Sequence, residues 1–326
     1  MLYKKVAKIA EEISAIGMGC WNFGGQWDNE VGDNTVKIVH GAIDWGVNLF
    51  DVAPVYGFGK AEEILGRALK DGRRSKVLIA SKCGLVWNDQ QKIRNNLTPK
   101  SILNEIDQSL RRLQTDYIDI YQLHWPDYNT PIEETVRALE EIKKAGKIRY
   151  IGLSNFAQKD VEKFMSMIEI NAQQSLYNML ERNTNSYHEI SLDYKTEDEV
   201  LPMVKKHQQA FLPYSPLFQG LLTGAFKRGG NFSEKDIRNA NPKLKGGLVE
   251  KYYEGALAIG DFAEKIGRSL NEVAFNWLRQ KEEVTSIIAG VSSMSQLEKN
   301  INSTTWNLTE EELREIETII EPFKTI

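Results

Sequence analysis

Cysteine is nearly absent. Cys20 and Cys83 are the only two in 326 residues, too few for a disulfide framework and too far apart for a CxxC pair. Histidine is scarce as well: His40, His124, His188 and His207 show no HExxH-type metal spacing. No apolar run approaches the ~20 residues that span a bilayer, and the opening MLYKKVAKIAEEIS holds no apolar segment of the secretory kind. Charge of neither sign dominates, since 41 Lys and Arg stand against 45 Asp and Glu for a net −4. Without a basic cluster, binding to nucleic acid or to a membrane surface has no electrostatic support. GMGCWNFGG lacks the third glycine of a dinucleotide fingerprint. No stretch has a linker's composition, so one domain over residues 1–326 is expected, in a soluble, cytoplasmic protein.

What is present is alternation. Eight short runs rich in β-branched residues lie at 14–19, 47–53, 76–84, 117–124, 148–155, 170–178, 210–217 and 284–291, with amphipathic stretches between them. Thr98-Pro99 reads as a helix N-cap followed by proline in the first turn. Thr130 with Glu133, and Thr309 with Glu312, read as capping boxes, and Gly146 as a helix stop. Eight strand–helix units in this length predict a (β/α)8 barrel; an open doubly wound sheet remains the alternative, because alternation does not give strand order. KVAKIAEE, ahead of the first strand, reads as a hairpin closing the barrel bottom. Two connections are long, residues 181–199 and the segment after the seventh strand, and both would hang over the rim at the strands' carboxyl ends.

In such a barrel, chemistry gathers at those carboxyl ends. They carry Asp51 after the second strand, Lys82 on the third and His124 at the fourth, with Tyr56 in the loop beyond Asp51. A carboxylate ending an apolar run is costly to bury unless a cation meets it, and Lys82 supplies one. The same ammonium would favour the tyrosinate and lower the pKa of Tyr56, giving a tuned proton donor with His124 beside it.

These residues carry a resemblance. FDVAPVYGFGKAEEILG, ASKCG, DYIDIYQLHWPD, KIRYIGLSNF, QQSLYN, YSPLFQGLLTG and IIAGVSSMSQLEKNI occur in the order found in aldo-keto reductases, and the chain resembles that family, its bacterial members in particular, from end to end. The resemblance implies hydride transfer between NADP(H) or NAD(H) and a small-molecule aldehyde, ketone or alcohol, sugars included. Tyr56 would be the acid or base, Asp51 and Lys82 its tuning pair, and His124 the group orienting the carbonyl. Cofactor contacts would come from Cys20, Trp21, Asp51, Ser154, Asn155, Gln174, Tyr214, Ser215, Leu217, Gly220, Gly290, Ser292, Gln296 and Asn300. Ser154, Asn155 and Gln174 would hold the carboxamide, and Tyr214 would stack on the nicotinamide ring. Trp21, Tyr56, Trp87, His124 and Trp125 would line the substrate pocket. Many members place a basic residue for the 2′-phosphate of NADPH where this chain has Ser292, so use of NADH is expected.

Two other readings use the same residues. Potassium-channel β subunits of this family bind the cofactor and act mainly as partners of a membrane protein. A barrel aldolase would use Lys82 as a Schiff base. Cys83, next to Lys82, is turned away from the cavity by strand alternation. The chain implies no metal site, and the oligomeric state is not legible.

Overall fold

The structure is a computed structural model that describes residues 1–27, 31–228 and 232–323. Eight parallel strands form one sheet: β1 (Ile16–Gly19), β2 (Leu49–Asp51), β3 (Leu78–Cys83), β4 (Ile118–Leu123), β5 (Ile148–Ser154), β6 (Ala172–Gln174), β7 (Ala210–Phe211) and β8 (Ile287–Gly290). They pair in sequence order from β1 to β7, and β8 pairs with β1. Thr285 N–H donates to Phe211 O at 2.9 Å and Ile288 N–H to Pro213 O at 3.0 Å, which joins β7 to β8 and closes the ring. The open-sheet alternative is thereby excluded; the fold is a (β/α)8 barrel.

Helices α1 (Asp33–Asp44), α2 (Lys60–Ala68), α3 (Pro99–Leu113), α4 (Ile132–Lys144), α5 (Gln158–Met165), α6 (Leu201–His207), α7 (Gly246–Lys265), α8 (Leu270–Arg279), α9 (Met294–Asn302) and α10 (Glu310–Ile320) surround it. Strand alternation sorts the side chains. Leu49, Leu78, Ala80, Ile120, Ala172 and Ala210 fill the barrel interior with Ile9 and Ile13 of an antiparallel N-terminal hairpin, Tyr3–Val6 with Ile9–Ser14. That hairpin is the plug the sequence predicts. The intervening Phe50, Ile79, Cys83, Tyr121 and Leu123 face outward into the layer beneath the helices.

The capping expectations fare unevenly. Thr309 and Glu312 exchange both bonds of a capping box. Thr130 does not cap α4: its hydroxyl donates to Asp127 Oδ2 at 2.7 Å, and the cap position falls on Pro131. Thr98 stands at the N-cap of α3 with extended backbone but gives its hydroxyl to Asn96 Oδ1. In both cases the hydroxyl's bond to a neighbouring carboxylate or amide oxygen fixes the threonine side chain away from the helix N–H groups.

Candidate active site

The inward register that places Leu49, Leu78, Ala80 and Ile120 in the barrel makes Asp51, Lys82, Gln122 and Gln174 the next inward positions on β2, β3, β4 and β6. Lys82 is fully buried and Asp51 is 3% exposed. The Lys82 ammonium donates to both Asp51 carboxylate oxygens (2.8 and 2.7 Å), to Val52 O (3.1 Å) and to Tyr56 Oη (3.2 Å). Gln174 Nε2 and Gln122 Nε2 add donors to Asp51 Oδ1 at 2.8 and 3.3 Å. A carboxylate taking this many donors is compensated even at full burial. The Tyr56 ring lies edge-on to His124 at 5.9 Å and stacks on Trp21 at 5.8 Å.

The electrostatics correct one expectation. Tyr56 is held well above the usual phenol range, because burial disfavours the tyrosinate and the Asp51 charge repels it. Lys82 does not reverse this: burial lowers its own pKa, and Asp51 absorbs the charge it retains. The phenol therefore stays protonated at neutral pH. His124 is held well below the usual imidazole value of 6.5 by burial and by the Lys82 charge, so its ring is neutral.

A neutral buried histidine leaves a pH signature. The unfolded chain binds a proton near pH 6.5 that the folded chain refuses, so this contribution to stability is fully present above that pH and is lost as pH falls towards the folded value. Urea denaturation of wild type and His124→Gln, compared between about pH 8 and about pH 5, is expected to show the wild type's relative stability falling as the pH is lowered. A difference constant with pH would mean that the ring titrates normally.

Several of the residues expected to touch a cofactor have partners of their own. Asn155, in a left-handed conformation (φ 65°), donates from Nδ2 to His124 O and Ser154 Oγ and accepts at Oδ1 from Tyr194 and Tyr214 hydroxyls at 2.9 and 2.8 Å. Its amide is fully engaged, and Gln174 spends its N–H on Asp51. The Cys20 thiol is fully buried in the outward layer and pushed up by burial, so that side chain faces away from the mouth; the Cys20 N–H donates to Asp51 O. Asp51 likewise has no oxygen left facing the rim without a donor.

At the end of β7, Ser215, Phe218, Gln219 and Gly220 all have positive φ. This run forms a nest-like turn in which the Phe218 and Gly220 N–H groups are already given to Ser215 O and Leu217 O, both at 3.0 Å, so what it offers an anion is close backbone approach. At Gly220 (φ 105°) an added Cβ would meet nothing closer than Arg238 Nη1 at 3.7 Å. Beside β8, Ser293 caps α9 and accepts the Gln296 N–H, and Gly290 borders open space. The nest and the α9 N-terminus flank the adjoining ends of β7 and β8, an arrangement that fits a dinucleotide pyrophosphate. Gln296 Oε1 accepts both the N–H and the hydroxyl of Ser292. Asn300 is buried under α9 and Leu217 is half-buried.

Trp21 closes one side of the mouth, edge-on to Trp27 at 5.1 Å. Trp87 sits on a small hairpin, Leu85–Trp87 with Ile93–Asn95, against Phe58 at 5.4 Å. Trp125 is half-buried, packed on the β6–β8 side of the core. The long segment after β6 folds into a second hairpin, Ser186–Tyr187 with Ile190–Ser191, which leans on the site. Tyr187 lies edge-on to Tyr214 at 5.1 Å. Gln219 Nε2 meets His188 Nε2 at 2.7 Å and donates to Tyr187 Oη at 3.3 Å. The segment after β7 reaches across to both neighbours. Ile237 N–H donates to Gln26 O, and the buried Lys243 ammonium donates to Glu181 Oε1, Thr184 Oγ1 and Ser186 O at 2.6–2.7 Å.

Sequence reasoning missed Gln122, Gln219 and Lys243. Gln122 was findable: it lies two residues before His124 in an apolar strand, hence on the same face. Gln219 and Lys243 lie in an irregular loop, where no periodicity marks a side chain as inward.

Comparison with known proteins gives the family. A profile of the aldo/keto reductase family matches residues 15–321. The chain is 36% identical over 324 residues to an aldo-keto reductase (YhdN) of Bacillus subtilis, spanning 98% of this chain and 94% of that one. It is 32% identical to an NADH-specific methylglyoxal reductase of Escherichia coli, spanning 91% and 92%. Among solved structures, a glycerol dehydrogenase from Gluconobacter oxydans superposes with a TM-score of 0.86 at 34% identity, covering 98% of this chain and 95% of that one. Barrel, family profile and relatives agree: the chain belongs to the aldo-keto reductase family, and is an oxidoreductase dependent on NAD(P)H.

Proposed function

We propose that Tyr56 is the general acid for reduction of a small, polar aldehyde or ketone, and the base for the reverse oxidation. The observation that carries this is the Lys82 ammonium, 3.2 Å from Tyr56 Oη while bonded to both oxygens of Asp51. A nicotinamide cofactor, when bound, supplies the hydride. Tyr56 holds its proton through the neutral range and gives it to the carbonyl oxygen as negative charge develops there. Lys82 then faces the new tyrosinate and stabilises it, and Asp51 keeps Lys82 charged in a site that burial would otherwise neutralise. His124, uncharged, directs a ring N–H at the same oxygen without competing for the proton. The barrel floor and the stacked Trp21 exclude water from one side of the phenol.

For the substrate, the names of the relatives and the mouth point the same way. Reductases and dehydrogenases of methylglyoxal and glycerol handle three-carbon polar molecules, and here Tyr187, His188 and Gln219 place polar groups beside the aromatic wall. We therefore favour short hydroxylated or dicarbonyl compounds over bulky apolar ketones. A screen of sugars, short aldehydes and ketones, followed by absorbance of the reduced cofactor, is expected to rank the short polar compounds first. Cofactor binding without turnover of any of them would instead favour a binding or channel-subunit role.

The expectation of NADH use also stands as a proposal. Ser292 brings no charge, and its hydroxyl is already given to Gln296; Lys299, the candidate cation further along α9, is exposed. Steady-state kinetics with both cofactors are expected to show substantial turnover with NADH. A preference for NADPH above roughly a thousandfold, about 4 kcal/mol, would overturn this.

A further inference from the structure

Outside the barrel, a cavity of about 600 Å³ opens between α2 and the end of α3. Four of its lining side chains are cationic: Lys60 and Arg67 from one face of α2, Arg111 and Arg112 from the last turn of α3. Among the described residues, Glu63 is the one acidic member of its wall. Arg112 is tied down, donating from Nε to the buried Glu62 at 2.7 Å and more weakly to Gln108 and Ser109. The other three are exposed, and among the described residues their side chains form no ion pair or hydrogen bond.

Each arginine alone has an ordinary explanation, because last-turn cations complement the helix dipole. That explanation does not cover Lys60, which stands in the first turn of α2, the end where a cation is disfavoured. Nor does it explain why the two helix ends and the first turn of α2 empty into one recess. Uncompensated like charges crowded around a concave surface repel one another unless an anion joins them. Arg112 adds a guanidinium that Glu62 already holds in place, so little ordering is lost when it binds. The volume lies in the range of small-ligand sites, and the wall, whose apolar members among the described residues are Val31 and Ile64, offers little to an uncharged molecule.

We propose that this recess is a binding site for a multiply charged phosphate-type anion, separate from the barrel mouth. Guanidinium forks match phosphate oxygens in pairs, and several cations at once select a polyanion over chloride or a monocarboxylate.

The test uses the intact enzyme saturated with cofactor, so that the pyrophosphate-binding part of the mouth is filled. Isothermal titration with inorganic pyrophosphate at constant ionic strength is expected to show one saturable site. Arg67→Ala/Arg111→Ala, which removes two exposed and unpartnered side chains, is expected to weaken it by at least about tenfold, as loss of two charge-assisted contacts implies. A control of equal charge change, Lys37→Ala/Lys144→Ala on other helices, is expected to leave it unchanged. Absence of saturable binding in wild type, or equal weakening in both double variants, would overturn the proposal.

Discussion

Replacing Tyr56 with Phe is expected to lower kcat for carbonyl reduction by about 10²–10⁴-fold, the usual contribution of a positioned general acid, while cofactor affinity changes little. The ring and its stack on Trp21 survive the change. The one lost contact is the Lys82 bond, and Lys82 keeps Asp51 and Val52 as acceptors, so the fold should hold. Single-turnover reduction measured beside a cofactor titration by fluorescence separates the two effects. Retained turnover, or loss of cofactor affinity in proportion to rate, would remove Tyr56 from its role. Its raised pKa adds a directional asymmetry. Reduction needs the protonated phenol, present throughout the neutral range, and should be nearly flat in pH there. Oxidation of the alcohol needs the tyrosinate and should rise with pH in wild type. The Phe variant should show neither profile.

Much of this site was legible because strands translate sequence into direction without ambiguity. Once Asp51 and Lys82 are placed at strand ends, period-two alternation decides that they face one another and that Cys83 does not. The same rule gives the barrel, since eight strand runs alternating with capped helices leave few architectures. The rest was hidden for identifiable reasons. The sign of the Tyr56 shift depends on how much solvent the phenol loses and on Asp51 outweighing a lysine it has already neutralised, a balance of burial that motif spacing does not contain. The Thr130 box failed because its hydroxyl is turned to Asp127, three residues away, and the helix starts one residue later, with Pro131 at the cap. The stitching of the rim by Gln219, His188 and Lys243 joins segments about 30 to 60 residues apart through irregular loops, where no repeat marks the partners.

Substituting Lys82 by Met should be the most damaging change to stability, and the way it damages tests the account of Asp51. The methionine fills most of the volume but leaves a carboxylate, 3% exposed, with only the amides of Gln122 and Gln174 as side-chain donors. Removing one partner of a buried ion pair costs about 3–5 kcal/mol, chiefly because the other charge is stranded. A stranded charge makes that deficit large at neutral pH. Asp51→Asn combined with Lys82→Met removes the stranded charge and is expected to recover part of the loss at neutral pH while remaining inactive. Urea denaturation of the four proteins in a double-mutant cycle measures this directly. If the single variant were as stable as wild type, or the double variant recovered none of the loss, the two groups would not be compensating one another. The positioning of Tyr56 by a charged Lys82 would then have no electrostatic basis, since an amine left neutral by burial offers a tyrosinate nothing but a weak hydrogen bond.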